Sequence, residues 1–587
     1  MNYPQTPLYD LINVMTPRLR FIRLHPERWG RTRLIISFFL AAFLATACQS
    51  TKTANTDLTS QTLTNIGFAD WIVVSELESQ ALLYLDQEPL KLGSIGSAIL
   101  EKDPSNLIGR LALSKFYSSL GTIETGTDFK ESYEESLKVI SESGNGSPGK
   151  PWVVSSNQAA ELFLKDTGIS RVGGVYQSNL QQKLGLMIIG LEGENTQPKE
   201  YYFDLSHLLN SANAYLSTDK TQDSDNPWPL LRLLSESRDS AAQAAIGAYL
   251  VKQKNYKAAI NWLTASAQQD NLFAHTLLAR IFWSQFSGIE QMLRSDKDQS
   301  TLTAENRESL RSQLNDLKTK SQSHHRQAIS LGSVESMYTL GRLLFEGKFG
   351  PGKVIEGQEL LEQSGKLGNA ESFLFLAHHY RSGSIVQQDI SRSTTFFSEA
   401  AKLRNPEAIV AFARFLISPA GEGFREEEKF GIVKLLEELV AEKKPEAMVV
   451  LGNLSAAGVQ TNQSFRQAIS WYKKAVKAAS NNIDEASDEV INEVAWILAT
   501  TSKKSLKRAR YALRIIDKRM QDSALAREKP EFLDTWAAAL AANGQFEKAI
   551  EIQNRAISKA TEQDRDDVLK ILEKHLKSFK LNQPITE

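Results

Sequence analysis

The 587-residue chain contains one cysteine, Cys48. With no second thiol there is neither an intramolecular disulfide nor a thiolate zinc site, so stability must come from packing. Neither sign of charge is in excess, with 68 Lys and Arg against 69 Asp and Glu. The basic footprint that nucleic-acid binding demands is missing, and nucleic acid is not expected as a partner. After residue 48 no apolar run approaches the roughly 20 residues of a membrane span. HExxH and GxSxG arrangements are also missing. What is present is a 42% hydrophobic content rich in Leu and Ala, which suits a helical body too long for a single core.

Residues before Cys48 have their own composition. Arg18, Arg20, Arg23, Arg28, Arg31 and Arg33 precede the apolar run Leu34 to Leu44, with Glu27 the one acid nearby. A basic stretch, a short apolar core and the small residues Ala45, Thr46 and Ala47 make a secretory signal, too short for a spanning helix. The segment resembles a lipobox, with Leu44 displaced by one place from the family's position. That resemblance implies a cleaved signal over residues 1–47, begun at Met1 or Met15, and a diacylglycerol thioether on Cys48. Gln49 stands where an inner-membrane retention signal would place Asp, which implies an outer-membrane lipoprotein facing the periplasm.

The body is periodic. The windows beginning at Trp262, Leu360, Phe396, Leu435 and Trp471 align, the last four separated by about 36, 39 and 36 residues, the size of a helix-pair unit. Ahead of each lies an apolar residue followed by a small one, as in Ile246-Gly247, Leu340-Gly341, Leu376-Ala377, Phe412-Ala413 and Leu451-Gly452. Small side chains there would let two antiparallel helices approach closely. Gly458-Val459, Ala468, Trp471-Tyr472 and Lys474-Ala475 resemble the Sel-one-like repeat, a relative of the tetratricopeptide repeat with a longer loop. Gly383, Gln388-Asp389, Phe396-Phe397, Ala400-Ala401 and Asn405 fit the same pattern. The unit near Leu435 lacks the aromatic pair and inserts residues around Pro419-Ala420-Gly421. Toward the end, Leu533, Ala537, Leu540, Gly544, Phe546, Ala549 and Ala556 resemble a tetratricopeptide unit.

The resemblance implies an all-α, right-handed α-solenoid of antiparallel helix pairs. Its organisation is a signal over 1–47, an N-terminal helical region over 48–230, Sel-one-like repeats over 231–485 and tetratricopeptide-like repeats over 486–587. An interval of about 62 residues between Ala279 and Gly341 is nearly two repeats. It implies a helical insertion over about 285–330, either a lengthened hairpin or a coiled-coil arm. The period is lost from about 143 to 228, where Leu184 to Leu191 suits a buried helix or strand equally. The packing positions are Gly247, Trp262, Gly341, Ala377, Ala413, Gly452, Trp471, Tyr472, Ala475, Ala537, Gly544 and Ala549.

Isolated motifs carry less. His324-His325 and His378-His379 are doublets, and adjacent helical residues diverge by about 100°, a poor chelating geometry. Gly347 to Lys353 has phosphate-loop spacing, but Val354 replaces the required hydroxyl and a helical pattern precedes it. Gly173-Gly174 reads as a turn, and the acidic clusters Glu426-Glu427-Glu428 and Asp564-Asp566-Asp567 read as solvated helix starts. No metal, cofactor or catalytic residue is expected. The function expected is a membrane-anchored periplasmic scaffold in envelope or exopolysaccharide-secretion assembly. Its partners would be other envelope proteins, bound through first-helix positions such as Arg342 and Asn453. The alternative is an envelope enzyme with a catalytic segment within 122–230 and the repeats as targeting module.

Overall fold

A computed structural model describes residues 66–177, 184–193, 196–216, 226–294, 304–424 and 431–587. The signal-like segment, Cys48 and Glu426 to Glu428 lie outside the described residues. The chain divides into two compact units, Met1–Leu340 and Gly341–Glu587. Among the described residues no helix is long and apolar enough to cross a membrane.

The first unit opens with helices Phe68–Tyr84, Leu92–Lys102, Leu107–Ser119 and Ile123–Ser143. The Asn106 side chain caps the third by accepting from the amides of Ile108 and Gly109, a contact worth about 1 kcal/mol. A Cβ on Gly93 would lie 2.6 Å from the Phe116 ring, so only glycine allows the second and third helices to meet so closely.

The region where the period fails is not wholly helical. It holds a four-stranded sheet in the order β1-β4-β3-β2, formed by β1 Trp152–Val153, β2 Ser170–Gln177, β3 Gly185–Leu191 and β4 Lys199–Asp204. Helix Asn157–Asp166 joins β1 to β2. β1 runs parallel to β4, and the other pairings are antiparallel. The expected helical region over 48–230 is corrected to this extent, and the run from Leu184 to Leu191 is a strand. β3 is buried along nearly its whole length, so it is apolar on both faces and shows none of the alternation that marks a half-exposed strand.

After the sheet come helices Ser206–Leu216 and Trp228–Glu236, then the pair Ser240–Lys252 and Tyr256–Ala267. The long interval contains two extended helices, Leu272–Arg294 and Ala304–Ser330. They lie side by side: Ser321 Oγ donates to the Ala279 carbonyl at 2.9 Å, and Leu317 packs against the apolar cluster built on Leu278 and Phe282. The interval is therefore a lengthened helix pair.

Helix Val334–Phe345 runs through the unit boundary. In the second unit helix pairs then follow one another, with first helices Ala370–Ser382, Pro406–Ile417, Pro445–Ala457, Glu485–Thr500 and Pro530–Ala542. Successive first helices pack against one another, and each second helix packs on its own first helix and the next one. That is the nearest-neighbour construction of an α-solenoid. Local chemistry punctuates it. Asn369, Asp389, Asn405, Ser464 and Asp484 cap helix starts with side-chain oxygens, while Gly383 and Gly458 end first helices with φ of 69° and 72°, conformations that suit glycine.

Candidate interaction surface

The small residue of each first helix faces the second helix of its pair. A Cβ on Gly452 would lie 2.4 Å from Tyr472 Cε1, one on Gly341 3.0 Å from Leu361 Cγ, and one on Gly247 2.5 Å from Leu263 Cγ. Ala377, Ala413, Ala475, Ala537 and Ala549 are fully buried. In the aromatic or aliphatic doublets the second member is buried, as in Phe397 and Tyr472, while Trp262, Phe396 and Trp471 are half-buried. Gly544 follows its helix with a φ of 79°.

The residue after each small one places Arg342, His378, Arg414 and Asn453 at equivalent positions along the first-helix row, with His378 and Arg414 exposed and Arg342 and Asn453 half-buried. Arg342 and Asn453 are not brought together, because two complete helix pairs intervene. Arg342 Nε lies 3.9 Å from Glu346. The Glu371 carboxyl on the next first helix is raised above its ordinary pKa, chiefly by burial and then by Glu407, with Arg342 opposing. Asn453 is engaged within the fold: Tyr472 Oη donates to its Oδ1 at 2.7 Å, and its Nδ2 donates to Glu493 at 3.4 Å. Arg414 closes the chain through a 2.6 Å ion pair with Glu493. Glu493 thus joins three first helices. Sequence reading missed Arg414, Glu493 and His378, although the position after the small residue could have flagged Arg414 and His378.

The polar residues of the sheet segment join β2 to the first repeat. Asp239 caps Ser240–Lys252 and also accepts from Asn157 Nδ2 at 2.9 Å and Tyr176 Oη at 3.1 Å. Arg171 reaches Asn157 and Glu161 at 3.0 and 2.9 Å. Asn271 uses its amide as a strand residue would: Nδ2 donates to the Gly174 carbonyl at 2.9 Å and Oδ1 accepts from the Gly174 amide at 3.2 Å. A Cβ on Gly173 would lie 2.8 Å from that Oδ1. Gly173-Gly174 is therefore part of an edge strand and not a turn, and its missing side chains admit a helix start.

The histidines behave as packing residues. Nδ1 of His275 and Nδ1 of His324 lie 3.0 Å apart, and the His324 ring stacks on Phe282. His379 pairs with Ser384 Oγ at 2.9 Å, and His378 meets the Phe397 ring edge-on at 5.1 Å. No group of three or more His, Cys, Asp or Glu suited to a metal occurs among the described residues. Gly347 to Lys353 forms an inter-helix turn in which Lys353 Nζ meets Glu356 at 3.0 Å. Trp71 donates from Nε1 to the Ser155 carbonyl at 2.8 Å, and Trp152 packs on Phe163 and Phe203. Asp566 and Asp567 stand in the first turn of Asp566–Lys580.

This arrangement defines a helical-repeat solenoid, the architecture of protein-interaction scaffolds. More particularly, residues 241–271, 334–369, 371–405 and 445–480 match the Sel1 repeat, so this part of the chain contains four Sel1 repeats. The pair Pro406–Ile417 and Ile432–Ala441 lies outside those matches, and its first helix ends at Ser418 in extended backbone where three of the four matched pairs have a left-handed glycine, Gly347, Gly383 or Gly458. Similar solved structures include a Sel1 repeat protein from Oxalobacter formigenes, at 14% identity over 57% of this chain and 86% of that one, TM-score 0.36. Another is c5321, a protective antigen of uropathogenic Escherichia coli, at 15% identity over 85% and 97%, TM-score 0.31. Yeast Tom70 is 12% identical over 87% and 96%, TM-score 0.30. No curated protein matches the sequence.

Proposed function

We propose that this chain is a non-catalytic adaptor held at the outer membrane by a diacylglycerol on Cys48, with its repeats in the periplasm. It gathers other envelope proteins, and exopolysaccharide-secretion assembly is the setting proposed for it. The observation that carries the adaptor reading is the first-helix row, where the residue after each close-packing position recurs at the same place in successive repeats and is exposed at His378 and Arg414. Such a row offers side chains at regular intervals to an extended partner.

The experiment is crosslinking capture from intact membranes. Arg342→Glu with His378→Glu is expected to abolish capture, while helicity and membrane location survive. The exposed His378 change should shift stability by under about 0.5 kcal/mol, and because Arg342 is half-buried the melting temperature of the variant is measured alongside. His378 is the better companion because Asn453 is bonded within the fold. Cys48→Ser should release the protein from membranes or leave it unprocessed, and labelled palmitate should enter only the wild type. Capture unaffected by the double change would refute the row as binding surface, and equal labelling of the Cys48→Ser protein would refute the anchor.

A further inference from the structure

Net charge near zero conceals a division within the second unit. First helices Pro445–Ala457, Glu485–Thr500 and Pro530–Ala542 contain seven Asp and Glu and no Lys or Arg. Those carboxylates are mostly neutralised inside the fold. Lys529 bridges Glu485 and Glu489, and Arg519, Arg414 and Arg565 meet Asp488, Glu493 and Glu531. Asp534 faces His575.

Two of the second helices show the reverse, although the later of them also holds Asp517 and Asp522. Phe465–Ala479 carries Arg466, Lys473, Lys474 and Lys477 and no acid. The connection to the next second helix adds Lys503, Lys504, Lys507 and Arg508, and Ala509–Asp522 adds Arg510, Arg514 and Lys518. All but the half-buried Lys507 are exposed, and none forms an ion pair among the described residues. The two helices share one basic surface at Tyr511: Lys473 Nζ lies 5.8 Å from its ring centre and the Arg514 guanidinium 5.1 Å. Lys474 sits 4.1 Å over Trp471 in the same way. Beside Tyr511, Lys507, Arg508, Arg510 and Asn543 line an open groove of about 680 Å³. Of the acids nearby, Asp517 accepts from Gln521 at 3.1 Å and Asp522 ends the same helix, while Glu587 bonds Ser502 through its main chain and turns its side chain to the Trp496 indole.

We propose that this basic second-helix face rests on the headgroups of an anionic phospholipid bilayer, an inference that builds on the membrane tether proposed above. Eleven cations without an ion-pair partner among the described residues, against Asp517 and Asp522, leave a strongly basic face that favours anions from outside the fold. The first-helix row of another copy supplies few, because its carboxylates are already paired. A bilayer matches a surface two helices broad, and half-buried aromatic rings capped by Lys and Arg suit a headgroup layer. The attraction reaches only about 8 Å at physiological salt, so the face acts once a tether holds the body close. Its effect is to fix which side of the solenoid looks away from the membrane.

The test uses the full chain with Cys48→Ser, which removes any acyl anchor, and cosedimentation with vesicles of phosphatidylcholine alone or with phosphatidylglycerol added. Binding should be about tenfold stronger to the anionic vesicles at low salt and should fade as salt rises past the screening range. Lys473→Glu, Lys477→Glu, Arg510→Glu and Arg514→Glu together should erase the preference, and the same four positions changed to Gln should weaken it without the risk of new repulsion within the fold. Equal anionic binding by parent and Gln variant, or tighter binding to a soluble polyanion such as heparin or DNA than to the vesicles, would overturn the proposal. Palmitate labelling of the wild type reads the tether separately, so loss of one leaves the other standing.

Discussion

The sheet-bearing first unit and the repeats of the second hold themselves together over different distances along the chain. In the second unit the principal packing joins a helix to its own pair or the next. In the first, one apolar cluster runs from Phe68 to Phe273, and single hydrogen bonds span 84 residues from Trp71 to Ser155 and 97 from Asn271 to Gly174. A nearest-neighbour array loses structure around a lesion, whereas a unit with one shared core loses it together. The difference teaches that the same kind of helix pair can serve as a link in a chain or as a wall of a core.

The hardest test of the array is the buried pair Arg519 and Asp488, each 2% exposed, with Ser523 donating to Asp488 at 2.6 Å. Arg519→Ala leaves a buried carboxylate unpaired and should cost about 3–5 kcal/mol. Hydrogen exchange should rise across 482–542 while 370–440 stays protected. Loss of protection throughout would show that the array is one cooperative body. A somewhat smaller perturbation tests the opposite behaviour in the first unit. Asn271→Leu leaves the Gly174 amide and carbonyl without their side-chain partner, about 2–4 kcal/mol for the two. Exchange should then rise together from Phe68–Tyr84 through β2 to Ser240–Lys252, and an effect confined to β2 would break the comparison.

Gly452→Leu comes next. The new side chain would drive into the Tyr472 ring, and overpacking of this kind costs about 1–3 kcal/mol. Limited proteolysis should open the pair Pro445–Ala457 and Phe465–Ala479 first. Unchanged melting would mean that the first helix turns a different face to its partner.

The repeats were legible because their signal is redundant. Gly341, Ala377, Ala413 and Gly452 recur in phase, the two glycines against Leu361 and Tyr472 and the two alanines fully buried, so a weak pattern read several times gains force. The sheet had no such redundancy. β3 is buried on both faces and carries no alternation, and β2 contains Gly173-Gly174, the dipeptide that ordinarily marks a turn. Its reason for being glycine is Asn271, almost a hundred residues away, which no local reading reaches. The candidate surface was legible in position but not in state. Arg342 and Asn453 occupy equivalent places in their helices, yet Asn453 is tied to Tyr472 and Glu493 by the curvature that brings three first helices within reach. The basic face was hidden for another reason: total charge averages it against acids that the fold has already paired.

The smallest effect expected is in pH, because the first unit contains groups that oppose one another. Burial lowers His324 and His325 to about 4, helped for His324 by the neighbouring His275 and for His325 by His324 and Arg280. Burial likewise lowers His207 to about 4, against the pull of Asp204. These rings are neutral in the folded chain, while the unfolded chain protonates near 6.5. Their contribution is complete above about pH 6.5 and is lost as pH falls toward 4, since the unfolded state then binds more protons. Glu78 has the opposite sign. Burial raises its carboxyl to about 7, partly offset by the Asn106 amide that donates to it at 2.7 Å. Its contribution is complete below about 4.5 and is lost as pH rises through 7. Between pH 5 and 7 three histidines gain stability against one carboxyl that loses it, so the wild-type first unit should melt somewhat higher at pH 7 than at pH 5. Glu78→Gln keeps the shape and removes the alkaline loss, so the variant should gain more stability from pH 5 to 7.5 than the wild type does. His324→Phe removes one of the three opposing groups and should shrink that gain. Calorimetric melts of the three proteins at pH 5, 6 and 7.5 decide it, and parallel pH profiles would mean that these groups meet water in the folded chain.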